Sequence, residues 1–478
     1  MQCSIVNLSK VQSQINARLD AEYWHPEAIE IAKTIGQEMT LGSCIKGGYR
    51  VVYENTEILR TDEIGQMDLP KFIQATDINS PMINIENAGY VREEDWQQYP
   101  KGRIQQGEIL LEVKGDVKKV AIVPDDFPDK VLVSGTLYKF SVNEKVNKYF
   151  LAVYLSCRYG QKLKDRLVSN IATPFISKSE LYTIPVPCFD NRIQSEIAKA
   201  YVLAFNKQKI SKDIYAQAQT LLLSELGLTD WQPKHQLTFV KNYSDTEQAE
   251  RIDAEYYQPK YEEIVQAIKS YAGGWGTLGS LVDLKDENFR PVDKTEYKYI
   301  ELANIAGNGE ITGCMIEQGQ DLPSRARRKV AMREVIVSSI EGSLDSIALI
   351  DEEYDQALCS TGFHVANSQA FNSETFLVLL KSIAGQLQLK KGCSGTILTA
   401  INKDEFGKII LPIIAEERQR QIQHKVIESF NLRKQSKHLL ECAKRAVEIA
   451  IEGDEQTAID YLKKETQVKD SRTGEVTR

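Results

Sequence analysis

Apolar positions in the middle of the chain repeat with the period of a helix that packs lengthwise on another. Between Asn191 and Leu228, Ile193, Ile197, Ala200, Ala204, Ile214, Ala218 and Leu221 follow alternating steps of four and three. Such a stripe predicts a helix with a narrow contact seam. Lys207 and Ser211 fall on the same stripe and break the apolar seam at its middle. Pro185 and Pro187 bar an earlier start, Asp190 and Asn191 can cap the first turn, and Gly227 can close the helix in the left-handed conformation. At about 1.5 Å rise per residue the helix would reach roughly 50 Å, more a spacer than a core element. A second stripe, Ile422, Val426, Phe430, Leu440, Ala443, Val447 and Ile451, predicts a matching helix over Glu416–Glu452. It too follows a strand-like run ending in proline, Ile409–Pro412. The pattern is globule, long helix, globule, long helix.

The globules also repeat. RLDAEYWHPE from Arg18 and RIDAEYYQPK from Arg251 hold Arg, Asp, Ala, Glu, Tyr, an aromatic residue and Pro in register. Thr40–Ser43 and Thr277–Ser280 are both TLGS. Lys71–Ile78 aligns with Lys298–Ile305, Gly107–Leu111 with Arg333–Val337, and Asn170–Leu181 with Gly395–Phe406. Repetition over this length predicts two copies of one assembly. In each copy, short runs rich in Val, Ile and Tyr alternate with Gly, Asp and Asn turns, and a short helix interrupts them (Tyr149–Tyr159 and Thr375–Ala384). The expected fold class is therefore α+β, two tandem repeats, each a globule followed by a long helix.

With 478 residues, 42% hydrophobic and 26% charged, the chain fits a globular protein of two or three domains. No apolar run reaches the ~20 residues of a membrane span. The N-terminal MQCSIVNLSKVQSQ lacks the apolar core of a signal peptide, so a cytoplasmic protein is expected. Eight cysteines stand without a CxxC pair or a Cys/His cluster, which reads as reduced thiols and no metal site. The net charge of −8 does not decide for or against nucleic acid, because phosphates respond to a local basic face.

No catalytic constellation stands out. Gly274-Trp-Gly276-Thr-Leu-Gly279 matches GxGxxG, but a predicted helix precedes it where dinucleotide binding needs a strand, so a turn is expected. Glu112-Val-Lys114 after a strand-like run faintly resembles the carboxylate and lysine of a metal-dependent restriction-type nuclease, and this is the best enzyme alternative. The five histidines show no triad or HExxH spacing, and no P-loop is present. What remains is surface chemistry. Arg325, Arg327, Arg328, Lys329 and Arg333 cluster in the second half. The first half has Lys101, Arg103, Lys114, Lys118 and Lys119 in the corresponding stretch. Lys162, Lys164 and Arg166 recur as Lys390 and Lys391. Ser169, Asn170 and Thr173, and Ser394, Thr396 and Thr399, lie in paired loops before the last strand of each copy. Arg reads guanine edges and Lys and Arg neutralise phosphates, so these residues are DNA-binding candidates.

Two globules closed by runs such as SNIATPFISKSELYTIPVP and IQSEI, each leading into a long helix, resemble the specificity (S) subunit of Type I restriction-modification systems. Ile176, Lys178, Leu181, Pro185, Pro187, Gln194 and Ile197 carry the likeness in the first half. Ile401, Lys403, Phe406, Pro412, Glu417, Gln419 and Ile422 carry it in the second. Cys188-Phe189-Asp190 departs from the family's Pro-Leu-Glu-like run. The resemblance implies target-recognition domains at 1–190 and 251–415 (the second repeat begins near 236), conserved spacer helices at 191–228 and 416–452, a linker at 229–250 and a flexible tail at 453–478. It further implies that the two helices pack as an antiparallel coiled coil with pseudo-twofold symmetry. The chain would be non-catalytic and would read a bipartite, gapped site in double-stranded DNA. It would dock two methyltransferase (M) subunits and, where present, restriction (R) subunits. It would hold no cofactor, S-adenosylmethionine belonging to the methyltransferase partner. A coiled-coil scaffold whose globules bind protein is the other alternative.

Overall fold

In the computed structural model, which describes residues 5–12, 14, 16–51, 56–59, 68–169, 173–395 and 399–466, the Val/Ile-rich runs form sheets and the apolar-periodic runs form helices, giving a mixed α+β structure. The chain divides into two compact units, Met1–Gln208 with Lys434–Arg478, and Lys209–Arg433. Each unit therefore takes one half of each long helix.

In the first unit a four-stranded antiparallel sheet has the order Ile45–Tyr49, Leu137–Val142, Ile109–Glu112, Val120–Ile122. A three-stranded sheet has the order Gly89–Tyr90, Lys71–Ile73, Val131–Val133, the last two strands parallel. Side chains alternate across a strand. Ile109 and Leu111 accordingly join one apolar cluster with Phe150, Leu151 and Tyr154 of the Lys148–Ser156 helix. Leu110 joins another with Ile73, Val131 and Val133. The run is buried on both faces, which is why it reads as unbroken hydrophobic sequence.

The second unit has a four-stranded sheet in the order Val282–Lys285, Phe363–Ser368, Val335–Ser338, Ile347–Leu349. Its other sheet runs Met315–Gln318, Glu296–Ile300, Leu358–Ser360, Ala326–Lys329, and again its middle pair is parallel. Val335 and Val337 face one cluster and Ile336 the other. The Gly274–Gly279 string, expected as a turn, instead contains a short strand, Trp275–Thr277, paired with Ile410–Pro412.

The RxDAEY motifs are clasps. The Arg18 guanidinium donates to the carbonyls of Leu167 (2.9 Å) and Val168 (2.7 Å), at the end of the Arg158–Leu167 helix, and to Asp20 (2.8 Å). Arg251 does the same with Lys391 (3.4 Å), Cys393 (2.9 Å) and Asp253 (2.8 Å). Each guanidinium stacks on the motif tyrosine, Tyr23 or Tyr256. A second matched device uses glutamine. Gln194 accepts from the Asn147 amide and donates to Phe189 O, while Gln419 accepts from the Asn372 amide and donates to Ile414 O. Asn147 and Asn372 in turn cap the helices that begin beside them.

The central helix spans Asn191–Glu225 and the distal helix Glu416–Glu452. In the first unit Ile193, Ile197 and Ala200 share an apolar cluster with Ala443, Ala446 and Val447, and Ala204 is also buried. In the second unit Tyr215, Ala218 and Leu222 pack with Ile422 and Val426. Ile214 and Leu221, expected on the seam, are only half-buried, and Tyr215 and Leu222 take their places. The reason is periodicity. A strict 3.5-residue stripe drifts against a 3.6-residue helix, and one additional step of four after Ser211 restores the buried face. Phe430 and Leu440 are likewise half-buried. Phe430 stacks on Tyr215 with ring centroids 6.4 Å apart, and Leu439 is buried beside Leu440. The polar interruption is itself buried. The Ser211 hydroxyl donates to Ser429 O (2.8 Å), Ser436 donates to Ala204 O (2.7 Å), and Lys207 donates to Gln435 (2.7 Å). Gly227, at φ 66°, closes the central helix with Leu228 N–H on Leu223 O (2.8 Å).

The segment expected as a flexible tail is a helix over Glu455–Thr466. Ala458, Ile459 and Leu462 form its apolar face and are buried in the first unit's core. Its charged residues, which suggested a frayed end, occupy the other face. Residues 467–478 lie outside the described residues.

The clasp has a pH signature. The hydrogen bond from Arg18, the largest cause, holds the Asp20 carboxyl below its ordinary 3.8. A depressed carboxylate contributes stability that is present above the unfolded pKa and lost as pH falls through the folded one. We expect Asp20→Asn to lower the urea midpoint at neutral pH, and the gap to wild type to close below about pH 4. A gap unchanged at acid pH would contradict the clasp.

Candidate nucleic-acid interface

The two units position comparable loops. In the first, the hairpin leaving the Ile109–Glu112 strand is tied by Glu112, whose carboxylate accepts from the backbone N–H groups of Lys118 (3.0 Å) and Lys119 (3.2 Å). The hairpin is bridged to the loop before the unit's last strand-like segment. Lys114 pairs with Phe175 across an isolated bridge, Gly115 N–H donates to Pro174 O (3.0 Å), and Ser169 pairs with Phe175. This brings together Lys114, Ser169 and Thr173. It also brings in Arg50, which lies 6.0 Å over the Phe175 ring and donates to Gly135 O (2.7 Å). No local pattern marks Arg50, which follows the Ile45–Tyr49 strand and comes near this loop only through the sheet. Asn170 lies outside the described residues.

In the second unit the hairpin after Val335–Ser338 meets the loop before Ala400–Ile401. Glu341 N–H donates to Thr399 O (2.9 Å), Ile401 N–H to Ser339 O (2.8 Å), and Ile340 bridges to Ala400. Ser339 also donates to Gly362 O (2.9 Å), and Thr361 N–H donates to Arg325 O (2.9 Å). Arg325, Ser339 and Thr399 therefore lie along one connected set of loops, and Ser394 is exposed at the start of the last. Thr396 lies outside the described residues.

The other basic candidates disperse. The run from Arg325 to Arg333 is not a patch, because Ala326–Lys329 is a strand and its side chains alternate. Arg328 pairs with Asp286 (2.7 Å), Arg327 donates to Ser324 O (3.0 Å), and Lys329 lies over Phe289. Arg333 sits exposed at φ 73° in the turn before Val335–Ser338, at the other end of that strand from Ser339. Arg103 donates to Trp96 O (2.9 Å) and stacks on its ring, with Lys101 exposed nearby in the chain. Lys119 donates to Ala75 O (2.8 Å), whereas Lys118 is exposed. Lys390 and Lys391 belong to the second clasp, at Glu255 (3.9 Å) and over Tyr256. Arg166 stacks on Tyr23, and Lys162 pairs with Glu27 (3.1 Å). Of the basic candidates among the described residues, Lys101, Lys114, Lys118, Arg325 and Arg333 are exposed and form no ion pair.

Lys164 is not on the surface. Its ammonium is buried and donates to Val117 O (2.7 Å), bracing the hairpin where Val117 takes a φ of 52°. Glu112, the nuclease candidate, spends its carboxylate on the same hairpin, so it serves there as a turn staple.

The chain is similar in structure to the Type I restriction-modification system S subunit of M. genitalium, at 13% identity over 89% of this chain and 95% of that chain, with a TM-score of 0.38. It is also similar to the HsdS subunit of Thermoanaerobacter tengcongensis, at 14% identity over 87% and 96% of the two chains, TM-score 0.27. A third is a chain from a structure of complex assembly and conformational transition of the type I R-M system, at 16% identity over 90% and 96%, TM-score 0.27. No family model matches the sequence, and no curated protein matches it.

Burial pushes Lys164 down from 10.5 to about 7. Between those values the unfolded chain holds a proton the folded chain lacks, so this residue makes stability rise with pH across that window. Lys164→Met is expected to flatten the rise in urea midpoint between pH 7 and pH 9 seen for wild type. Equal slopes in the two proteins would show that the ammonium is solvated.

Proposed function

We propose that the chain is the non-catalytic DNA sequence-recognition subunit of a Type I restriction-modification complex. The observation that carries this reading is the loop pair. Each unit ties a hairpin to the loop before its last strand, and the two pairs offer different side chains, Lys114, Ser169 and Thr173 in one, Arg325, Ser339 and Thr399 in the other. A fixed frame with changed side chains suits the reading of two different half-sites, because base edges are distinguished by the donors and acceptors that face them. Lys101 and Lys118 would serve phosphates at the rim, and Arg333, at the far end of its strand, would lie outside it.

In this reading the two repeats are target-recognition domains on a bipartite, gapped site in double-stranded DNA. The long helices form an antiparallel coiled coil with pseudo-twofold symmetry and set the unread gap. Two methyltransferase subunits, and restriction subunits where present, dock on the helices and supply S-adenosylmethionine chemistry in the cytoplasm. Support for the helix arrangement comes from pairs that run in opposite order, Arg418 to Glu225 (2.7 Å) and Lys425 to Gln217 (2.8 Å) in one unit, Ser436 to Ala204 (2.7 Å) and Lys207 to Gln435 (2.7 Å) in the other.

The test is methylation-sensitive sequencing of host DNA with the partner methyltransferase present. Deleting this chain should abolish a gapped, asymmetric N6-methyladenine motif. Arg325→Ala should relax or change bases in one half of the motif only. Removing one heptad from each long helix, about 10 Å of rise, should shorten the gap by roughly three base pairs and leave the half-site bases intact. Methylation that survives deletion of the chain would overturn the proposal, and changed half-site bases in the heptad deletion would overturn the ruler.

A further inference from the structure

The terminal helix brings a carboxylate to a pair of side chains that sequence alone leaves unconnected. His438 and Cys442 are one turn apart on the distal helix, so they share a face. The Cys442 sulfur lies 3.5 Å from His438 Nε2. Glu465, in the last turn of the Glu455–Thr466 helix, places Oε2 3.9 Å from the same nitrogen. One donor atom from each of the three residues lies within 4.8 Å of the others. Four-coordinate zinc, with bonds of about 2.0–2.3 Å, holds its ligands roughly 3.3–3.6 Å apart. The three donors are therefore within a small side-chain adjustment of a coordination sphere. Cys442 is buried. His438 is half-exposed, which leaves an entry path and room for a water as fourth ligand.

We propose that His438, Cys442 and Glu465 form a binding site for one divalent transition-metal ion, zinc above all, that clips the terminal helix to the distal helix. The donor set selects the metal. A thiolate and an imidazole favour zinc or cobalt over magnesium or calcium, which take oxygen ligands. On binding, the Cys442 thiol gives up its proton to solvent and the ion loses three of its waters. The thiolate and the Glu465 carboxylate then balance the two positive charges. Sequence reading alone shows no Cys/His cluster here, because the third ligand comes from the segment read as a tail.

The test uses the full chain and cobalt(II) as an optical probe, followed by competition with zinc. Wild type should take up one equivalent, with a near-ultraviolet thiolate-to-cobalt band that zinc abolishes. Cys442→Ser should lose the band, His438→Ala should bind at least 100-fold more weakly, and Glu465→Gln at least tenfold. Cys188→Ser, which removes an exposed thiol elsewhere, should bind like wild type. Zinc should also slow amide exchange across residues 455–466 by at least tenfold. His438 and Glu465 are both partly exposed, so their variants keep the test decisive if the buried cysteine variant misfolds. The proposal is overturned if wild type shows no thiolate band, if the band survives in Cys442→Ser, or if His438→Ala and Glu465→Gln both bind like wild type.

Discussion

Each unit is built outward from one strand buried on both faces. Leu110 and Ile336 point into the cluster shared with the unit's other sheet, while their neighbours Ile109, Leu111, Val335 and Val337 point into the helical side. Burying such side chains contributes about 1.5–3 kcal/mol each. A one-residue slip would exchange the two faces entirely. The register of this strand is thus the most costly thing in the unit to change, and it fixes where the following hairpin emerges. Everything offered to a partner at that end, the hairpin, the loop before the last strand and the bridge between them, inherits its position from the strand.

That inheritance separates frame from contact. Glu112 ties the first hairpin by accepting two backbone N–H groups, and Ser338 ties the second by accepting from Ile340 N–H (3.1 Å). Both satisfy backbone donors of the hairpin. The side chains of Lys114 in one unit and Arg325 in the other are exposed and carry no such tie. A surface of this kind suits recognition, where the side chain is read and the backbone only presents it.

What the sequence made legible is what repeats locally. The α+β character and the two long helices follow from apolar periodicity, and the RxDAEY pair is visible as a repeated string. Its role is not visible, because the carbonyls that Arg18 and Arg251 engage lie more than a hundred residues away. The basic run from Arg325 to Arg333 looked like one patch because charge was counted along the chain, whereas a strand sends alternate residues to opposite faces. Lys164 looked like a surface cation for the same reason. The shift from Ile214 to Tyr215 and from Leu221 to Leu222 follows from counting in heptads through a polar stretch that offers no apolar marker. Asn170 and Thr396, by contrast, fall where the described residues stop.

The polar stretch gives the long helices a property that an apolar seam would lack. Hydrophobic contact is non-directional, and a seam of Ile, Val and Ala tolerates sliding by a heptad at modest cost. Ser211 on Ser429 O and Ser436 on Ala204 O are directional and buried, and a slip would strand each hydroxyl without a partner, at roughly 1–3 kcal/mol apiece. Buried Arg433 lies against both the Tyr215 and Phe430 rings, 5.5 Å and 5.3 Å from their centroids, and adds a charged side chain to the same layer. Polar groups at seam positions fix register at the expense of stability in coiled coils generally. Within each unit the polar layer is therefore the part of the seam that fixes how the two helices are matched.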